Sequence, residues 1–439
     1  IRPQEAESFG TGVTRFVPGR IGPGFTDDLD ELTDKMIANG QASLNHNYGL
    51  WYDRRRDDHQ RVRRMNGDVR PPFYEQPFAR SGEGIAWDGL SKYDLTKYNP
   101  WYWNRLREFA DLCDQKGLVL LHHNYFQHNI LEAGAHWADF PWRSANNINQ
   151  TEFPEPVPYA GNKRIFMDEL FYDVDHPARR DLHRAYIRKC LDNFADNGNV
   201  IQLTSAEYTG PLGFVEFWLD TVIEWKTETG RNPLIALSCT KDVQDAILAD
   251  PERRRHVSVI DIRYWWYQKD GQLYAPEGGK HLAPRQHARL LKPRGTSFAQ
   301  VVRGIRQCRM KHRDKAVVYS ADGTYGWAVL MGGGSIPNLP RTTDRELLSA
   351  IGHMRPAQLP DDPLGQYVLV EPAEAYLIYA ASGDSIQLDL AGVKGTFLAR
   401  WIEPHSGKVV SRDDSIVGDQ KVSIPIEFKP CVLWLIRER

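Results

Sequence analysis

A single glutamate stands where an apolar run breaks off. Asn199–Pro211 reads NVIQLTSAEYTGP. It opens with aliphatic and β-branched residues and ends in a carboxylate, Glu207, an aromatic, Tyr208, and a Gly-Pro turn. A buried parallel strand that delivers one acid to the mouth of a barrel has this form. In a partly desolvated hollow such an acid can give and take a proton near neutral pH. The plainer alternative is a glutamate that starts a helix and is stabilised by the helix dipole.

Acid-catalysed cleavage at a sugar's anomeric carbon needs a second carboxylate, about 5–5.5 Å away for retention and further for inversion. Three other apolar runs end near one. Asp322 follows AVVYSA, Asp261 lies within VIDIRYWW, and Asp242 follows LSCTK. With Asn199–Glu207 counted as a fourth strand, Asp322 follows a seventh, and carboxylates at those two ends of a barrel face each other. Asp322 is therefore the preferred nucleophile and Asp261 the rival. Asp261 can equally pair with Arg263 and order the barrel mouth.

Polar and aromatic residues crowd the same strand ends. His122, His123 and Asn124 close LVLLHHNY, and Asn45, His46 and Asn47 close QASLNHNY. Adjacent residues of a strand point to opposite sides, so only one of His122 and His123 can face a pocket. Hydrogen bonding to sugar hydroxyls suits them better than metal binding, because the spacing from His122 to His128 matches no standard ligand pattern. No metal and no cofactor is expected. Lys241 and Arg263, with Arg54–Arg56, offer cations for a uronic-acid carboxylate. Trp51, Tyr208, Tyr264 and Trp266 offer faces for a sugar ring.

These residues need a scaffold that gathers strand ends. Helical and apolar strand patterns alternate at least six times between Asp27 and Met354. Helices are expected over Asp27–Ala38, Asn99–Gly117, Pro177–Asn197, Phe214–Thr229, Val243–Arg254, Phe298–His312 and Asp344–Met354. Each intervening strand is short and rich in aliphatic residues, as in a sheet covered on both faces. There is no GxGxxG or P-loop, and polar residues follow nearly every strand. Both features favour a closed barrel over an open doubly wound sheet. After Pro360 the pattern changes to short alternating runs separated by Gly, Asp and Ser turns, ending in Cys431–Ile436. The expected fold is α/β: a (β/α)8 TIM-type barrel over 1–360, then a small all-β sandwich over 361–439.

Composition narrows the partners. The 439 residues carry a net charge of −2, which gives no electrostatic case for nucleic acid. The 13 Trp and 19 Tyr suit a carbohydrate partner, although large barrels also pack aromatics. Five scattered Cys argue against a disulfide framework. No apolar run is long enough for a membrane-spanning helix. The chain starts at Ile1, and a removed signal peptide or a further N-terminal domain is compatible with that start. Oligomeric state is not legible.

AEYTGP at a fourth strand, a carboxylate after the seventh, and a β-domain beginning near KGTFLARWIEPHSGK together resemble bacterial clan-A-like glycoside hydrolases. The apiosidase and pectin side-chain glycosidase types are the nearest in character. The resemblance covers roughly 27–437 and implies a retaining mechanism with Glu207 as acid/base. Two positions depart from it: Ala206 stands where clan A has Asn, and Asp322 where it has Glu. The expectation is a secreted or periplasmic, exo-acting glycosidase on a plant or algal, uronate-containing poly- or oligosaccharide. The competing expectations are a non-catalytic carbohydrate-binding barrel, a metal-dependent hydrolase using the His122–His128 cluster, and a polysaccharide lyase.

Overall fold

The computed structural model describes residues 12–16, 26–49, 73–131, 134–155, 167–357 and 365–438. Trp51 and Arg54–Arg56 lie outside the described residues. The described residues fall into two compact units. The first draws on Ile1–Ile37, Ala42–Trp265 and Ala275–Pro293, and the second on Ala38–Gln41, Trp266–Tyr274 and Arg294–Arg439.

The first unit is built on parallel strands in chain order. Ser43–His46 pairs with Val119–Phe126, that with Val200–Ala206, then Leu234–Leu237, then Val259–Ile262. Every residue of Val200–Ala206 is buried, the mark of a strand covered on both faces. Helices supply one cover. Pro100–Gln115 starts at a proline, whose missing N–H costs nothing there, and Asn99 caps it by accepting from the Trp101 amide. Pro177–Asn193 starts the same way, with the His176 side chain as cap. Leu212–Thr229 stops at Gly230, whose φ of +69° closes the helix in the left-handed region. The helix expected over Val243–Arg254 is broken in two, because Pro251 cannot continue the turn that Lys241–Ala249 begins.

Strand register decides which side chains face inward. His46, His122 and Gln202 are in register. All three point to the side of the helices, where His122 packs against Trp103 and Phe194. By the two-residue period, Asn45, His123, Ser238, Asp261 and Arg263 belong to the opposite, inner side. A hairpin of Phe78–Arg80 with Tyr93–Tyr98 interrupts the alternation.

The second unit carries the helix Phe298–Lys311 and the strand Ala316–Tyr319, a further repeat of the α/β alternation. An antiparallel region follows. Arg355–Pro356, Gln366–Glu371, Ala375–Ala380, Cys431–Arg437, Thr396–Glu403 and Lys408–Val417 form one sheet in that order. Ser385–Asp389 pairs with Lys421–Pro425 as a second, smaller layer. Ile378, Phe397 and Leu433 of the large sheet pack with Ile386, Leu388 and Ile424 of the small one in a single apolar core. The fold class is the expected one, a TIM-type α/β barrel followed by a small all-β sandwich.

Candidate active site

Glu207 follows its strand directly, with φ +60°. A non-glycine side chain in that region is uncommon and costs roughly 1 kcal/mol or more, so surrounding contacts must hold it. Thr209 provides them. Gln127 Oε1 accepts from the Thr209 amide at 2.7 Å, and Gln127 Nε2 donates to Thr209 Oγ1 at 2.9 Å. The Thr209 hydroxyl donates to the Leu282 carbonyl at 2.7 Å, and its own carbonyl accepts from the Gly279 amide at 2.7 Å. Tyr208 is fully buried, donates to the Pro211 carbonyl and packs on Tyr172. Gly210 passes so near both rings that a Cβ would lie 2.8 Å from Tyr208 Cζ. The backbone is clamped while the Glu207 side chain remains 46% exposed, and its Oε2 lies 3.9 Å from His128 Nδ1.

Beside it sits a buried charge pair. Asp261 accepts the Ser238 hydroxyl at 2.8 Å and Arg263 Nε at 3.0 Å, both on Oδ2. Burial opposes the Arg263 charge, but Asp261 and Tyr264 outweigh it and hold the guanidinium firmly protonated. The Tyr264 phenol is raised by burial and by the charges of Glu207 and Asp261, with Arg263 offsetting part of the rise. Glu207, Asp261, Arg263 and Tyr264 therefore share one electrostatic neighbourhood. His123 joins it from the inner face: burial and the Arg263 charge push its pKa down to about 3, and its Nε2 is 3.0 Å from Asn45 Oδ1.

The loop after Tyr274 covers the clamp. The Gly278 amide donates to Asp242 at 3.0 Å, so that carboxylate anchors the loop. His281, at φ +53°, is held between Asp168 and Glu169. Lys241 pairs with Asp245 and lies 5.1 Å from the ring of Trp265.

Other sequence candidates lie elsewhere. His46 contacts the Tyr102 hydroxyl at 3.1 Å, and His122 contacts Gln202 Oε1 at 2.9 Å. Asn124 donates to Gln202 and accepts from Trp218 Nε1 at 2.7 Å. All three are buried on the helix-facing side of the sheet, each with at least one polar atom engaged by a core partner. In the second unit, Trp266 packs on Tyr274 and donates to the Arg294 carbonyl. Asp322 Oδ1 caps the short helix Gly323–Tyr325 by accepting from the Thr324 amide at 2.9 Å. Among the described residues, no group of three or more His, Cys, Asp or Glu is placed to hold a metal ion, and no helix is long and apolar enough to cross a membrane. The Gln127–Thr209 clamp and the Asp168–His281–Glu169 cluster are absent from the sequence reading. The only signal was the polar run QHN just past the His122 strand.

The fold and the acid at the end of its central strand define an α/β barrel with a candidate catalytic carboxylate at a strand end. The chain belongs to the family described as "Domain of unknown function (DUF6298)", which matches residues 1–354. No curated protein matches the chain. Solved structures do. One described as a glycoside hydrolase is 11% identical, with 93% of this chain and 88% of that chain covered and a TM-score of 0.47. A glycoside hydrolase family 5 structure from Bacteroides vulgatus is 12% identical, with 93% and 86% covered and a TM-score of 0.48. The cyclic α-maltosyl-(1→6)-maltose hydrolase of Arthrobacter globiformis is 11% identical, with 94% and 97% covered and a TM-score of 0.35.

Proposed function

We propose that this protein is a glycoside hydrolase with Glu207 as its acid/base. The observation that carries the reading is the left-handed backbone at Glu207. Four hydrogen bonds around Thr209 hold that unfavourable conformation, yet the carboxylate they position stays half exposed. A strand-terminal acid held in a fixed position with an accessible carboxylate is placed to meet a leaving oxygen.

Asp261 does not suit the role of partner acid, because a nucleophile must reach an anomeric carbon and Asp261 is 3% exposed with one oxygen engaged twice. Asp322, the nucleophile preferred from the sequence, lies on a partly exposed loop of the second unit. Asp261 then serves as counter-ion to Arg263, whose guanidinium keeps 19% exposure and can hydrogen-bond substrate oxygens through the nitrogens that Asp261 does not engage. A fixed cation of this kind suits a sugar carboxylate, so a uronate-containing plant or algal saccharide is the preferred substrate class. The proposal also carries a retaining course, exo action, a secreted or periplasmic location and chemistry within 1–360.

The test is a screen of aryl glycosides and uronate-containing oligosaccharides with the wild-type chain and Glu207→Gln. The wild type is expected to release product. The variant should turn over about 10²–10⁴-fold more slowly with unchanged thermal unfolding, the contribution typical of a general acid. Equal rates overturn the reading. Binding without product release favours a non-catalytic carbohydrate-binding barrel.

A further inference from the structure

The second unit contains a cavity of about 420 Å³, within the range of about 300–1,000 Å³ that holds small molecules. It is lined by the aromatic side chains Phe298, Tyr325, Trp327 and Tyr379, together with Asn338 and Arg341. Phe298 and Tyr379 stack at 4.1 Å and 19°. The Tyr325 hydroxyl donates to the Thr296 carbonyl, and Trp327 Nε1 to the Pro404 carbonyl. These bonds fix Tyr325 and Trp327, stacking holds Phe298 and Tyr379, and all four rings line the cavity.

The polar side of the cavity is unbalanced. Arg341 is exposed, and among the described residues it has no ion-pair partner. No Asp or Glu is among the lining residues. His405 also lines the cavity, and its Nδ1 is 2.8 Å from Glu403 Oε1. Glu403 is itself committed, because Ser406 and His405 hold its carboxyl down to about 2. The cavity thus offers one permanent cation with no anion to meet it.

The segment that leads into the wall is built at a cost. Ile336, two residues before the lining residue Asn338, has φ +51°, a conformation that a β-branched residue rarely adopts. Two residues on, the Asn338 backbone crosses Gly326 so closely that a Cβ there would lie 1.8 Å from the Asn338 carbonyl oxygen. Asn338 Nδ2 donates to the Gly323 carbonyl at 2.9 Å, which fixes its amide at the cavity edge. Backbone strain of this kind persists only where neighbouring structure enforces it, and it concentrates at ligand clamps.

We propose that this cavity is a binding site for a carboxylate-bearing sugar ring. The aromatic side chains take the apolar CH face, and Arg341 pairs with the carboxylate through a charge-assisted fork. The site needs no catalysis, so it stands whether or not Glu207 is an acid/base.

Ligand-observed saturation-transfer NMR on the full chain, with glucuronate and glucose as probes, tests this. The two sugars differ at the carboxylate. Glucuronate is expected to bind at least 5-fold more tightly than glucose. Arg341→Ala should weaken glucuronate at least 10-fold while its unfolding midpoint stays unchanged, since the replaced side chain is exposed. The same titrations in an Asp261→Leu/Arg263→Met background, which removes the other cation proposed to meet a sugar carboxylate, should show unaltered glucuronate binding, and this separates the cavity from the catalytic proposal. Equal binding of the two sugars, or glucuronate binding in that background that survives Arg341→Ala, overturns the assignment.

Discussion

Arg263 Nε donates to Asp261 Oδ2 at 3.0 Å, and both side chains are largely shielded, at 19% and 4% exposure. Removing one member of such a pair strands the other's charge in a medium that solvates it poorly. Breaking a buried pair costs about 3–5 kcal/mol, whereas replacing both members by apolar groups is often close to neutral. Asp261→Asn is therefore expected to lower the unfolding midpoint clearly, and Asp261→Leu with Arg263→Met to restore most of it. Thermal scans of the three variants measure this. If the double variant is as unstable as the single one, the pair is not an isolated charge anchor.

Thr209 holds Glu207 in place through bonds that a valine cannot make. Thr209→Val keeps the shape but loses the acceptor for Gln127 Nε2 and the donor to the Leu282 carbonyl. A displacement of about 1 Å at a reacting group can cost about 10²-fold in rate. The expected result on a cleavable aryl glycoside is a 10–100-fold fall in kcat with KM within 2-fold, and recovery in Thr209→Ser. A variant that changes KM alone would place Thr209 in substrate binding instead.

Four buried histidines of the first unit predict how the protein responds to acid. Burial pushes His122 to about 4 and His123 and His183 to about 3, and it lowers His46 as well. In the unfolded chain each takes a proton near 6.5. Between the folded and unfolded values the unfolded state binds more protons, so stability rises with pH there and falls as pH drops from about 6.5 towards 4. Above about pH 7 these groups contribute no slope. Each adds up to about 1.4 kcal/mol per pH unit inside the window. The unfolding midpoint should therefore begin to fall below pH 6.5, and His122→Gln should flatten that fall. A midpoint constant down to pH 4.5 refutes the prediction.

Much of the scaffold was legible because it repeats a local pattern. The helices Pro100–Gln115 and Phe298–Lys311 lie within a few residues of their expected bounds, and the last strand, Cys431–Arg437, runs one residue past its expected end. Periodicity and turn residues act over a few positions, and so do the forces that form these elements. The hairpin of Phe78–Arg80 with Tyr93–Tyr98 and the helix Pro284–Leu291 were not legible. Polar residues mask the period of the hairpin, and the helix is short and leaves Leu290 and Leu291 exposed, so its apolar residues do not mark a buried face. The site was half legible. Strand ends located Glu207 and Asp261, but strand alternation alone did not say that His123 faces inward and His122 outward. Gln127 lies 82 residues from Thr209, and His281 lies 113 from Asp168. Contacts at that separation exist only once the chain is folded, and no local rule encodes them.

Gly326 gives the last prediction, because its lack of a side chain shapes the sugar cavity. A Cβ at this position would lie 1.8 Å from the Asn338 carbonyl oxygen and 2.4 Å from its carbonyl carbon. Both are backbone atoms, so no rotamer change relieves the clash; the segment carrying Asn338 must move. Overpacking of this kind costs about 1–3 kcal/mol or more. Gly326→Ala should lower stability and, by shifting Asn338 and the strained Ile336, weaken glucuronate binding even in molecules that remain folded. Glucuronate titrations run well below the variant's unfolding midpoint measure the second effect separately from the first. Undiminished affinity there would mean that the Ser335–Leu339 segment adjusts freely and that its strain does not serve the cavity.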